Sequence, residues 1–265
     1  MPHANASLPV RPLLALLALL LSAPAVAADR YEEHRTLSLD ATGIRIVDIE
    51  VGAGELEVTG DETASEIRLD AVLWIEDAPQ DPERVRKALA RHVEVSLERD
   101  GDRARVVTVT DDPGIGYTLP HVDVRLVVPH SVSLGLTDRS GWIRVSRIAG
   151  NVEIRDGAGS ITLAEIGGHV AIDDDSGSID VTGVAGRLGI EDGSGSIGVQ
   201  DVEGDLAIDD GSGSITVRNV AGSVTIRDGS GSILVAGVGH DLHVLEAGSG
   251  AVSFSDVRGE ITVDD

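Results

Sequence analysis

The amino-acid sequence predicts an all-β protein: a parallel β-solenoid, β-helix-like, with 18-residue coils of two short strands and one short helix in its N-terminal part. Three observations predict it. First, Asp-Gly-Ser-Gly-Ser-Ile recurs at 192–197, 210–215 and 228–233, and with looser copies the closing residues are Ile143, Ile161, Ile179, Ile197, Ile215 and Ile233, one every 18 residues. A fixed period of this length marks stacked repeats. Second, the apolar columns lie two residues apart. Val145, Leu163, Val181, Val199, Val217 and Val235 follow the isoleucines, and β-branched residues at this spacing, bounded by Gly, Ser and Asp, are a strand signal. Third, each period splits into two nines, since Gly211–Asn219 is echoed by Val220–Asp228.

Each coil is therefore two strands and two corners, with coils ~4.8 Å apart and every strand pairing with its copies above and below. Three further apolar columns complete the core: Ile148 to Val238, Val152 to Leu242, and Ile154 to Val244. About five inward side chains per coil, at roughly 1.5–3 kcal/mol each, are largely offset by the ordering of a whole coil. One coil alone is not expected to fold, whereas a stack is. The two corners differ. The Ile148-to-Val238 column seals one; the other carries Asp156, Asp174, Asp192, Asp210 and Asp228, followed by glycines 159, 177, 195, 213 and 231. Those glycines fit a bend that needs positive φ or a close backbone approach.

From the N-terminus, residues 1–28 read as an export signal: Arg11 supplies the charge, Leu13–Leu21 the apolar core, and Ala25-Val26-Ala27-Ala28 the small-residue cleavage site. That apolar run is too short for an ordinary transmembrane helix, and no other segment is longer, so the mature chain is expected to be exported without a membrane span. There is no Cys, so neither disulfides nor a lipidated cysteine contribute. Residues 29–135 read as wider β coils with a capping helix, continuous with the regular repeat of 136–265. Val47–Val58 aligns without gaps on Leu206–Val217 and is expected to form the first coil. Strands are expected at Ile67–Ile75, Val93–Leu97, Ala104–Thr110 and Val122–Val128. Between the first two, Asp81 can N-cap a helix running to about Arg91, with Pro82 at its first position and Val85 and Leu89 on one face. Leu245 to Asp265 are expected to form a last coil with one inserted residue and Phe254 inside it. No β-barrel or wall-anchoring segment is read after it.

The chain carries 45 acidic and 21 basic residues, a formal charge of −24. Removing a leader whose only charge is Arg11 leaves about −25. Charge of this sign repels nucleic acid and anionic membrane surfaces, and aromatics at 2% leave few stacking platforms. Nucleic acid is excluded as a partner.

Gly54-Glu55-Leu56-Glu57-Val58, the strand ending in Val127-Val128-Pro129, then Ser140-Gly141-Trp142-Ile143 and the repeated Gly-Ser-Ile steps resemble the bacterial candidate-adhesin β-strand-repeat family, a domain of unassigned function related to the autotransporter-adhesin head (GIN) domain. The resemblance covers essentially the whole mature chain. It implies a β-solenoid at the cell envelope or surface; some members are tied to envelope-stress responses, and no catalytic residues carry over. A true autotransporter needs a translocating barrel, which is not read in this chain.

The acidic corner is the one candidate site. Asp173, Asp174, Asp192, Asp209 and Asp210 crowd neighbouring coils and supply oxygen-only ligands suited to calcium. The preferred reading is that each Asp of the column accepts hydrogen bonds from the Gly and Ser amides that follow it, as an Asx-turn on a solvated face, with no firm metal site. The calcium nonapeptide of repeats-in-toxin proteins does not fit, because Ile215 stands where its ligand Asp belongs. His169, His240 and His243 fall in different columns, and the Ser176, Ser194, Ser212 and Ser230 ladder has no His in register. The reading is an exported, non-catalytic, adhesin-like module of the cell envelope that binds an envelope or surface protein or glycan. The alternatives are a β-helical enzyme acting on polysaccharide through paired carboxylates, and a calcium-stabilised surface repeat protein.

Overall fold

The computed structural model describes residues 30–76, 81–110 and 120–264, preceded by the backbone of two short strands, β1 (Leu20–Leu21) and β2 (Ala25–Ala27). The predicted export signal otherwise lies outside the described residues. Among the described residues strand makes up 69%, with one short helix, in a parallel β-solenoid of about 7 turns of roughly 18 residues.

The N-terminal part contains β3 (Arg30–Asp40), β4 (Ile46–Glu50), β5 (Ala53–Asp61), β6 (Glu66–Glu76), α1 (Pro82–His92), β7 (Val93–Asp100), β8 (Arg103–Thr110) and β9 (His121–Pro129). Regular coils follow as pairs: β10 (Ser133–Thr137) with β11 (Ser140–Ile148), β12 (Val152–Asp156) with β13 (Gly159–Ile166), and β14 (Val170–Asp174) with β15 (Gly177–Val184). The pattern continues through β16 (Leu188–Asp192), β17 (Gly195–Val202), β18 (Leu206–Asp210), β19 (Gly213–Val220), β20 (Val224–Asp228), β21 (Gly231–Val238), β22 (Leu242–Glu246), β23 (Val252–Val257) and β24 (Ile261–Val263). Odd-numbered members of these pairs build one sheet and even-numbered members the other. Ile161 lies beside Ile143 and Ile179, and Ile172 beside Ile154 and Ile190, so the registry is the sequence period itself. All five predicted apolar columns are buried.

The corners follow from backbone conformation. Gly159, Gly177, Gly195, Gly213 and Gly231 have φ between 141° and 155°. A Cβ on Gly195 would stand 1.5 Å from the carbonyl oxygen of Gly177, so this column is closed to any other residue. At the opposite corner Arg147, Glu165, Asp201 and Asn219 take left-handed φ of 56–59°, with Gly183 and Gly237 in the same column. Each is skipped in the strand ladder, which turns the next residue, such as Ile148 or Ile166, back into the core. The sequence reading did not identify this column.

The N-terminal levels depart from chain order. β4 and β5 stack on β10 and β11, as the alignment of 47–58 predicts, but they are not the first coil. β8 lies parallel to β4 on its far side and β9 parallel to β5, so a later segment forms the level beneath an earlier one. β7 then pairs antiparallel with β8, β6 with β9, and β3 with β6. Antiparallel strands thus end the parallel stack at this end, and α1 adds buried Val85 and Leu89 to the core. Its N-cap is Asp81, whose carboxylate accepts the Arg84 amide at 3.2 Å.

At the other end, among the described residues, β23 and β24 are the last strands of their sheets. Phe254 occupies the inward column of Val235 yet is 44% exposed, since among the described residues β23 is the outermost strand of its sheet; Ile261 and Val263 on β24 are exposed likewise. Phe254 belongs to the last coil, but the expectation that it is enclosed there is corrected.

Candidate functional site

Strand alternation puts every second residue inward. After Ile154 the next inward residue is Asp156, and the same step places Asp174, Asp192, Asp210 and Asp228 inside. Asp138 joins them one period upstream, ahead of Arg139-Ser140-Gly141 rather than Gly-Ser-Gly. All six are buried, Asp228 completely. One oxygen of each meets a turn amide: Asp174 Oδ1 accepts from Ser176 N at 3.2 Å, Asp192 from Ser194 at 3.1 Å, Asp210 from Ser212 at 3.0 Å and Asp228 from Ser230 at 2.9 Å. Asp156 takes the Gly157 amide and Asp138 the Arg139 amide. The Asx-turn reading describes this geometry, but the face is a buried one, not a solvated one.

The second oxygen, Oδ2, is buried without a partner in all six. Loss of water disfavours the charged form. Burial pushes Asp138 up to about 7 and Asp174 and Asp210 up to about 6, against the opposing pull of the turn amides and with the nearby aspartates adding to the rise. Asp156, Asp192 and Asp228 are raised by the same cause. The column is a ladder of buried carboxyl groups whose charged form is disfavoured by loss of water.

Of the five cation candidates, Asp174, Asp192 and Asp210 share this column. Asp173 and Asp209 point to the outer face of the same sheet and are exposed, so the five do not converge. Among the described residues no group of three or more His, Asp or Glu is arranged to hold a metal ion. His169 serves the backbone: its Nδ1 accepts the Arg187 amide one coil on, as Asn151, Asp205 and Asp241 do for His169, Ser223 and Glu260. Ser176 Oγ donates to the Gly157 carbonyl.

The feature that sequence reasoning missed is a groove of about 700 Å³ on the outer face of the first sheet, where the antiparallel strands meet the parallel stack. Its floor crosses six strands. In one row His34, Val72 and Asp123 are cross-strand neighbours on β3, β6 and β9, and Glu55, Trp142 and Ser160 are neighbours on β5, β11 and β13. In the next row Asp70 faces Arg125, Arg125 faces Glu57, and Glu57 faces Arg144. Several of these groups are already engaged. Thr36 donates to Asp70 at 2.7 Å, Arg125 pairs with Glu57 at 3.2 Å, and Asp123 accepts the Trp74 indole N–H at 2.9 Å and the Glu55 amide at 3.0 Å. Trp74 is stacked on His121 at 4.2 Å with the Arg30 guanidinium 4.2 Å from its centroid. Trp142, the second of two tryptophans in the chain, is 58% exposed and lines the groove. The signal in the sequence was its outward position two residues from Arg144 in a chain with so few aromatics.

No protein-family model and no curated protein matches the chain. Among the solved structures to which it is similar are three crystal structures of bacterial proteins. One is a candidate cell-adhesion protein from Clostridium sporogenes (11% identity over 87% of this chain and 100% of that one, TM-score 0.31). The others are a candidate adhesin from Parabacteroides distasonis (13%, 86% and 95%, 0.34) and a candidate lipid-binding protein from the same species (12%, 86% and 96%, 0.31). At these values no residue role carries across. No helix among the described residues is long and apolar enough to cross a membrane.

Proposed function

We propose that the chain is an exported, non-catalytic, adhesin-like binding module of the cell envelope, working in the periplasm or at the cell surface. The observation that carries this reading is the groove: an open indole and uncommitted polar groups set on a face whose backbone is locked by ladder pairing on both sides. A preformed concavity lined by an aromatic and convergent polar groups is the usual form of a binding site. The leader-like residues 1–28 support export. The repeated acids do not support acid–base catalysis, because each carboxyl stands in the same environment as its neighbours one coil away and no pair is singled out. An envelope-stress role rests on the family resemblance alone.

The experiment has two parts. Expressed with its leader in a bacterial host, the chain is expected outside the cytoplasm with residues 1–28 removed. The purified mature protein is expected to be retained by an isolated envelope fraction, and Trp142→Ala to reduce that retention. Cytoplasmic retention of the full precursor refutes export; equal retention of Trp142→Ala refutes the groove as the binding face.

A further inference from the structure

We propose that the groove takes a carbohydrate chain, with Trp142 as the platform for one sugar ring and the neighbouring carboxylate, guanidinium and hydroxyl groups as its hydroxyl-binding set. The proposal deepens the binding reading above and rests on it.

The first argument is what is left unused. Tyr31 is buried, Trp74 is occupied by His121, Arg30 and Asp123, and Phe254 sits at the far end of the stack. Trp142 alone among the described aromatics offers an open ring inside a concavity. An indole suits a partner that is apolar on one face and wet at its edges, which describes a pyranose ring with its C–H face and equatorial hydroxyls.

The second argument is the kind of polar group beside it. Glu55 is the cross-strand partner of Trp142 on one side and Ser160 on the other, and Arg144 follows two residues on. A carboxylate accepts only, a guanidinium donates only through a planar fork, and a hydroxyl does both. This mixture matches vicinal hydroxyls, each of which is donor and acceptor.

The third is charge. Among the groove's residues three arginines stand against five acids, so it offers no cationic field for a phosphorylated or sulfated chain. Nor does it suit an acyl chain, since Leu56, Val124 and Ile143 face the core and Val72 is the one outward aliphatic side chain beside the indole, the other outward groups being charged or polar. The fourth is length. Strands repeat every ~4.8 Å, close to the length of one linked sugar unit, so a chain lying across β9, β5, β11 and β13 meets one unit per strand.

The test is a titration of the full mature chain, followed by tryptophan fluorescence and by calorimetry. The probes are the β-1,4 tetrasaccharides of N-acetylglucosamine, glucose and mannose, with tetralysine as the peptide control. A saturable response to at least one tetrasaccharide is expected, with a dissociation constant on the order of 1 mM or below. It is expected to weaken at least about tenfold in Trp142→Ala and about fivefold in Glu55→Gln, at unchanged melting temperature, a loss of about 1–1.4 kcal/mol. No saturable response to any of the three at about 10 mM, or a response that Trp142→Ala leaves intact, overturns the assignment. Saturation by tetralysine, lost in Glu55→Gln, overturns it in favour of a basic peptide. Envelope retention that depends on Trp142 but is not competed by the tetrasaccharides refutes the carbohydrate and leaves the binding reading standing; retention independent of Trp142 refutes both.

Discussion

Lowering the pH from about 7.5 to about 5 is expected to strengthen the solenoid, against the usual acid sensitivity of a carboxylate-rich protein. The cause is the buried ladder. An Asp whose folded pKa lies above its unfolded value binds its proton more tightly in the native state. It therefore destabilises the fold fully above the folded pKa, and the penalty is relieved as pH falls, vanishing below the unfolded pKa. Asp138 is raised to about 7 and Asp174 and Asp210 to about 6, from 3.8. Across that pH interval linkage gives on the order of 1 kcal/mol for each group at about 6 and roughly twice that for Asp138. The groups facing one another are the ladder members themselves, with Asp175 and Asp209 beside Asp174 and Asp210, so successive protons bind in a coupled way and the contributions do not simply add. Urea unfolding followed by far-ultraviolet circular dichroism reads the slope directly. Asp210→Asn keeps an oxygen for the Ser212 amide and cannot ionise, so it is expected to reduce the pH 7.5-to-5 gain by on the order of 1 kcal/mol, and Asp138→Asn by roughly twice as much. A stability that falls steadily over this interval, or a slope that neither variant changes, refutes the reasoning.

Core and surface are expected to separate cleanly. Ile197→Asp places a charge among buried apolar neighbours and should cost several kcal/mol, whereas Thr216→Lys on the outer face should stay within ~0.5 kcal/mol; equal melting temperatures refute the assignment of faces. Gly195→Ala sets a methyl 1.5 Å from the Gly177 carbonyl oxygen at φ 151° and should cost at least ~3 kcal/mol, so a near-wild-type urea midpoint refutes the corner geometry. Calcium should leave the melting temperature where sodium of equal ionic strength leaves it, in the wild type and in Asp192→Asn alike. A cation held at 100 times its dissociation constant would add ~2.7 kcal/mol, and a calcium-specific rise lost in Asp192→Asn refutes the turn-cap role of the column.

Some of the candidate site was legible and was passed over. Asp156 lies two residues beyond inward-facing Ile154, so the same alternation that assigned the isoleucines assigns the aspartates to the core. Composition pulled the other way, since a run of acids usually marks a solvated face. The groove was not legible. Its residues run from Arg30 to Thr162, and the antiparallel and parallel halves of each row meet only because β9 lies between β6 and β5.

The sequence by itself determined the coil, the inward columns and the glycine corners of the regular repeat. Each of those residues packs against its own copy one period away, so a pairing distant in space is written as a local repetition. What only the tertiary structure decided is the N-terminal end. There Ile46 pairs with Arg103 and Leu56 with Val124, partners far apart in the chain and related by no period. Which of two equally good strands lies nearer the stack depends on how the whole end closes against β3, β6 and α1. That is a property of the assembled core, and no single stretch of chain carries it.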